Sequence, residues 1–183
     1  VESVGSKILN VVLDQRNFLD LPLRLGKKVL LLDGDMGMAN LDIMFGVRAS
    51  QNLRHVIQQE ARLQDIILNV HPGIDLIPGG SGIPELLYLS DADRMNLMDQ
   101  VGSLEKQYDY LLIDTAPGID KNVMTLNSAA QERWVIVNSD PSSVTDAYAL
   151  IKVLNQRHKL NQFSIVCNMV RNEADGLRLY RHF

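Results

Sequence analysis

VLLLDGDMGMANLDIMFG, from Val29 to Gly46, decides how the rest of the chain is read. Four apolar residues run directly into Asp33-Gly34-Asp35, and Asp42 follows. A short apolar run closed by a turn signal reads as a fully buried strand. Its acidic pair then stands where the strand emerges, and open α/β sheets place their ligands at that end of the strands. DYLLIDTAPG, Asp109 to Gly118, repeats the design. Two buried strands, each carrying an aspartate to its carboxyl end, suggest a hydrated cation and a phosphate chain between them.

Other short runs rich in Val, Ile and Leu recur at Ile74–Ile77, Trp134–Val137 and Phe163–Val166. With Val29–Leu32 and Tyr110–Ile113 they make five expected strands, buried on both faces. Helical patterns separate them. Ser90-Asp91-Ala92-Asp93 opens one to about Gln107 with a capping-box-like start. A second runs from about Lys121 to Gln131, and a third from Val144 to His158, capped by Ser142 or Ser143. Alternating strands and helices predict a mostly parallel sheet with helices on both faces. The first 25 residues fit this scheme poorly: ILNVVLDQRNFLDLPLRLG is helical in part at best, Pro22 breaks it, and no clear strand precedes it. No linker is evident, so residues 1–183 are expected to form a single domain.

The 183 residues suffice for one proper core. A net charge of −4 gives no global basic field, so direct nucleic-acid binding is not expected. No apolar run reaches the length of a membrane-spanning helix, and no secretory signal is expected. The single cysteine, Cys167, lies inside an apolar run and reads as a small buried hydrophobe, in keeping with a reducing cytoplasm. The chain opens on Val1 and stops within a helical pattern, which reads as a piece incomplete at both ends.

Individual residues carry competing readings. Asp33 and Asp35 either hold a hydrated Mg2+ and orient a water, or mark a polar strand exit with a capping aspartate. Asp114 ends an apolar strand in the Walker-B manner, where a carboxylate holds Mg2+ through water. Gly118, in Thr115-Ala116-Pro117-Gly118, can bring a backbone N–H close to a terminal phosphate. The Asn168 amide can meet an adenine edge, or simply end a turn. Asp140-Pro141 reads as a turn and cap. His55, His71, His158 and His182 lack ligand spacing. Arg171, Arg178 and Arg181 form a modest basic cluster that reads as a solvated face.

Together, LGKKVLLLDGDMGMANLDIMFG, IDLIPGGSG, YDYLLIDTAPGI and VNSDPSSVTDAYALIKVLN resemble the MinD/ParA-type P-loop ATPases, most of all their flagellar-number branch, called FlhG, FleN or YlxH. The resemblance runs from about Gly26 to the end. It implies a parallel sheet wrapped by helices, binding of ATP with Mg2+, an ATP-dependent homodimer and slow hydrolysis. It implies cytoplasmic residence with reversible attachment to the inner face of the cell membrane. It also implies control of flagellar number and placement with a signal-recognition-type GTPase and, in some bacteria, a transcriptional activator. Asp35 matches the residue that orients the attacking water. Asp33 and Asp114 match the Mg2+-shell carboxylates, Pro117 and Gly118 the second switch, and Asn168 the adenine contact.

The sequence departs from the family pattern first at the phosphate loop. The expected N-terminal strand and its K-G-G-x-G-K-[ST] loop are not found. The nearest text, Val4-Gly5-Ser6-Lys7-Ile8, has one glycine and no hydroxyl after Lys7. Successive backbone N–H groups wrap the phosphates only where glycines allow close approach, so Lys7 is the poorest of the nucleotide-binding candidates. An N-terminal segment truncated, spliced or read out of frame accounts for the abrupt break. The family's membrane-targeting helix and N-terminal partner motif are not found either, so this chain is expected to bind membrane poorly. The alternative is a non-catalytic pseudo-ATPase that keeps a partner surface on helices such as Val144–His158. A receiver-like acidic pocket ranks last, because Asn168 stands where that fold needs a lysine.

Overall fold

The computed structural model describes residues 7–11, 26–35, 37–80 and 90–183. Their strands are β1 (Lys7–Val11), β2 (Val29–Asp33), β3 (Leu68–His71), β4 (Ile74–Ile77), β5 (Tyr110–Asp114), β6 (Glu132–Val137) and β7 (Ser164–Cys167). They form one sheet in the order β3-β4-β2-β5-β1-β6-β7. All pairings are parallel except the β3–β4 hairpin. The helices are α1 (Leu41–Phe45), α2 (Leu53–Ile57), α3 (Asp91–Ser103), α4 (Lys121–Ala129), α5 (Pro141–His158) and α6 (Glu173–Tyr180). The expected mixed α/β architecture is the observed one. No helix among the described residues is long and apolar enough to cross a membrane.

The five apolar runs are strands, and two further strands escaped the sequence reading. β1 lies within the first 25 residues, where no strand was expected. Lys7 and Asn10 interrupt its apolar pattern, and what makes it a strand is tertiary: it inserts between β5 and β6. β3 is a short edge strand turned back by Pro72-Gly73, with Gly73 at φ 84°, and its register shifts between Asn69 and His71. Such a bulge blunts an edge against unwanted pairing. The rest of the N-terminal segment, residues 1–6 and 12–25, and Ser81 and Gly82 of IDLIPGGSG lie outside the described residues.

Alternation along the strands divides the core. Leu30 and Leu32 of β2 and Leu111 and Ile113 of β5 pack with Leu53, Val56, Leu97, Val101 and Leu126 beneath α2, α3 and α4. Val29, Leu31 and Leu112 point to the other layer and pack with Leu41 of α1. Val135 and Val137 pack with Ala147 of α5 and Leu179 of α6. The amino ends of β2 and β5 are held by Asp109, which accepts the Lys28 backbone N–H at 2.8 Å and pairs with Lys27 Nζ at 3.1 Å. These contacts hold the Asp109 carboxyl below the usual range, the Lys28 N–H most of all.

Helix starts are set by side-chain caps. Ser90 accepts the Asp93 N–H at 3.1 Å, as its sequence predicts. At α5 the Asp140-Pro141 reading as turn and cap is the observed one, rather than a cap on Ser142 or Ser143: Asp140 accepts the Ser142 N–H at 2.8 Å. Pro141 lacks an N–H and fits the first helical turn, so the cap falls on the residue before it.

The carboxyl ends of the central strands are packed without room for side chains. A Cβ on Gly34 would lie 2.6 Å from the Asp114 carbonyl oxygen, and one on Gly79 would lie 2.5 Å from that of Asp33. Gly34→Ala should therefore destabilise the fold by about 2–3 kcal/mol, the cost of overpacking a closed site. Gly102, inside α3, has open space around its Cβ position. Gly102→Ala should instead stabilise by about 0.5–1 kcal/mol. Denaturant melts of the two variants against the parent chain check both signs.

Candidate functional site

Asp33 and Asp114 are direct partners in the parallel β2–β5 register. Asp33 continues the parity of Val29 and Leu31, and Asp114 that of Leu112. Both carboxylates therefore leave the sheet on the α1 layer, side by side. The Gly34 N–H donates to the Asp114 carbonyl at 2.7 Å and locks the two tips together. This is the juxtaposition expected of two acid-bearing strands.

Asp33 is 1% exposed. Its Oδ2 accepts the backbone N–H groups of Asn40 at 2.9 Å and Leu41 at 3.0 Å, and so performs the capping that the Asn40 side chain does not supply to α1. Its Oδ1 is buried with no hydrogen-bond partner. Burial pushes the carboxyl up to about 6. The N–H groups of Leu41, Asn40 and Asp35 pull it back, and the nearby Asp35 charge adds slightly to the rise. Asp35, half-buried, turns into its own loop: Oδ1 accepts from Gly37 N–H at 3.1 Å and Met38 N–H at 2.9 Å. Capping and turn-making are thus visible for both residues.

The loop after β5 begins at half-buried Asp114 and buried Thr115. Pro117 is exposed. Gly118 sits at φ 112° with open space at its Cβ position, so the backbone there can approach a ligand as no other residue would allow. Asp120 ends the loop by capping α4, accepting the N–H groups of Asn122 at 2.7 Å and Val123 at 2.9 Å. Sequence reading missed Arg94. Nearly buried, it donates to Asn122 Oδ1 at 3.0 Å and pairs with Asp91 at 2.7 Å, while Lys121 also reaches Asp91 at 2.7 Å. The start of α3 is thereby tied to the start of α4, directly behind the loop. The i, i+3 spacing of Asp91 and Arg94 was the available signal.

Asn168 lies on the same edge of the sheet, at the tip of β7. Three strand spacings separate it from β5, about 14 Å. Its carboxamide oxygen accepts the Met169 N–H at 2.9 Å, and its own N–H donates to the Val137 carbonyl at 2.7 Å.

Lys7 does not join these residues. It pairs with Tyr110 at the amino end of β5, four positions before Asp114, which is about 13 Å along a strand. Its backbone stands at the opposite end of the sheet from the carboxylate pair. The place level with Asp114 is Val11, because Asn10 pairs with Ile113. A phosphate loop would have to begin there. The residues that follow, Val12 to Leu25, contain no glycine, lysine, serine or threonine.

The carboxylates fit a hydrated divalent cation better than a fully protein-coordinated one. Among the described residues no three His, Cys, Asp or Glu side chains gather into a metal-binding set. Mg2+ keeps most of its water and needs only one or two carboxylates. Water in such a shell is also the kind of donor that Asp33 Oδ1 lacks.

A carboxyl raised from 3.8 to about 6 on folding contributes stability below pH 4 that is lost as pH rises through 6, roughly 3 kcal/mol in all. Asp33→Asn should therefore gain stability relative to the parent between pH 4 and pH 7, by about 2–3 kcal/mol. Chemical denaturation at pH 4.5 and pH 7.5 measures this. An unchanged difference at the two pH values would contradict it.

Comparison with known proteins follows the same lines. A family model described as an AAA domain matches residues 20–165. The antiactivator FleN of Pseudomonas aeruginosa is 36% identical over 156 residues, covering 85% of this chain and 56% of FleN. The flagellum site-determining protein YlxH of Helicobacter pylori is 38% identical over 156 residues, covering 85% and 52%. The chain thus spans about half the length of these curated relatives. The septum site-determining protein MinD of Pyrococcus horikoshii, solved with Mg-ADP, superposes with a TM-score of 0.71 at 25% identity, over 95% of this chain and 77% of that one. A plasmid partition protein of Borrelia burgdorferi shares the fold with a TM-score of 0.75 at 18% identity, over 96% and 84%. The chain belongs to the AAA-domain family, in the MinD/ParA-type group of P-loop ATPases and close to its flagellar FlhG branch.

Proposed function

We propose that this chain belongs to a regulator of flagellar number and placement whose core is a MinD-like nucleotide switch. The in-register Asp33–Asp114 pair at the carboxyl edge carries the reading, in a chain similar to an antiactivator and to a flagellum site-determining protein. On this reading the nucleotide lies along that edge, with its terminal phosphate near Gly118 and its adenine toward Asn168. Bound Mg2+ would supply charge neutralisation at the phosphates, its water shell held by Asp33 and Asp114. Asp35 would orient the attacking water, which requires its carboxylate to leave the turn with Gly37 and Met38. Pro117 and Gly118 would register loss of the phosphate. The whole protein would dimerise on ATP and act with a signal-recognition-type GTPase or a transcriptional activator. It would reside in the cytoplasm and attach reversibly to the inner membrane face.

A second reading, a pseudo-ATPase interaction module, is favoured by one specific observation. The segment leaving β1 at the level of Asp114 lacks every residue type that a phosphate loop uses. The lysine and the Mg2+-binding hydroxyl have no substitute there.

Counting flagella in a flagellated bacterium deleted for its own regulator and supplied with this chain tests the regulatory role. Restored number supports it, and persistent misnumbering opposes it. Isothermal titration with Mg-ATP separates the two readings. Weak or absent binding is expected for the chain as written, and micromolar affinity would refute that. If ATP binds, Asp35→Ala should slow hydrolysis more than it weakens binding. Under the pseudo-ATPase reading, the chain captures its partner equally well without nucleotide.

A further inference from the structure

Arg171, Arg178 and Arg181 are exposed, as a solvated face requires, and two of them also border a cavity. Arg171, Arg178 and His182 stand around a cavity of about 750 Å3 between the start of α5 and α6, floored by Val144 and Leu179. Its size is that of a small-molecule site. It opens at the carboxyl ends of β6 and β7, but on the opposite layer from the carboxylate pair. Trp134 and Ile136 share the α1 layer with Leu112, whereas Val135 and Val137 pack against Val144 and Leu179. The rim carries two arginines against one carboxylate, Asp175, in a chain of net charge −4. Arg178 is paired with Asp175; among the described residues, Arg171 makes no ion pair, so its charge is available to a ligand.

The cavity wall is also conformationally unusual. Met169 sits at φ 54°, a region that costs a non-glycine residue energy and is found at functional sites. The Asn168 side chain holds it there. The result is a 66% exposed thioether at the cavity, a soft and adaptable surface for an apolar ligand.

We infer that this cavity binds a small amphipathic organic anion, an aromatic or apolar body bearing one acidic group. The body rests on Val144, Leu179 and Met169, and the acidic group meets Arg171 with Arg178 beside it. The inference is independent of whether the chain binds ATP.

The test uses 8-anilinonaphthalene-1-sulfonate as probe on the chain labelled with 13C-methyl methionine. Saturable fluorescence enhancement is expected, with a shift of the Met169 methyl resonance, assigned through Met169→Leu, and none at Met95. The double variant Arg171→Glu, Arg178→Gln changes exposed side chains and should keep the fold. It should weaken the anionic probe about tenfold, the worth of a charge-assisted contact, and leave the neutral probe N-phenyl-1-naphthylamine unchanged. An unmoved Met169 methyl, equal affinity in the variant, or displacement of the probe by Mg-ATP would each overturn the proposal.

Discussion

The pairing of β2 with β5 is the constraint on which the site depends. Register places Asp33 beside Asp114, pleating sends both carboxylates to one layer, and the Gly34 N–H to Asp114 carbonyl bond prevents the tips from separating. Gly34 and Gly79 then allow three strand ends to meet with no intervening side chain. A one-residue slip would send one aspartate into the opposite core. The hydrophobic runs before each acid guard against this, because every buried leucine would be displaced with it.

Burial gives Asp33 two duties that pull against each other. One oxygen satisfies the orphan N–H groups at the start of α1, while the other remains buried without a donor. A carboxylate held in this way is costly when charged, and sites that keep such a group usually use it. The loop from Asp35 to Asn40 is fixed at both ends by backbone bonds to carboxylates. Any event that neutralises or recruits Asp33 therefore bears directly on the shape of that loop.

Much of this was legible in the sequence because the relevant signals are local. Val29–Leu32, Ile74–Ile77 and Tyr110–Ile113 declare themselves as buried strands by composition, and an aspartate at a strand's end needs no tertiary information to be noticed. β1 and β3 were not legible. Lys7-Ile8-Leu9-Asn10-Val11 is an indifferent strand former that becomes one between two partners roughly a hundred residues away. The α5 cap was read both at Asp140 and at Ser142 or Ser143, because serine competes with aspartate for that role until Pro141 is weighed. Arg171 and Arg178 are as exposed as their reading as a solvated face expects, but the cavity beside them was not legible, because its apolar floor comes from other parts of the chain. The absence of phosphate-loop chemistry was visible, but its proper place became clear only when β1 fixed Val11 at the level of Asp114.

β1 has a mechanical meaning beyond its sequence. β5 and β6 do not pair with one another; five residues from near the start of the chain form the seam between a four-stranded half and a two-stranded half. The sheet is therefore incomplete until its earliest strand has waited for its last central neighbours. Closing contacts across so long a separation makes assembly slow and places the cooperativity of the whole molecule on that seam.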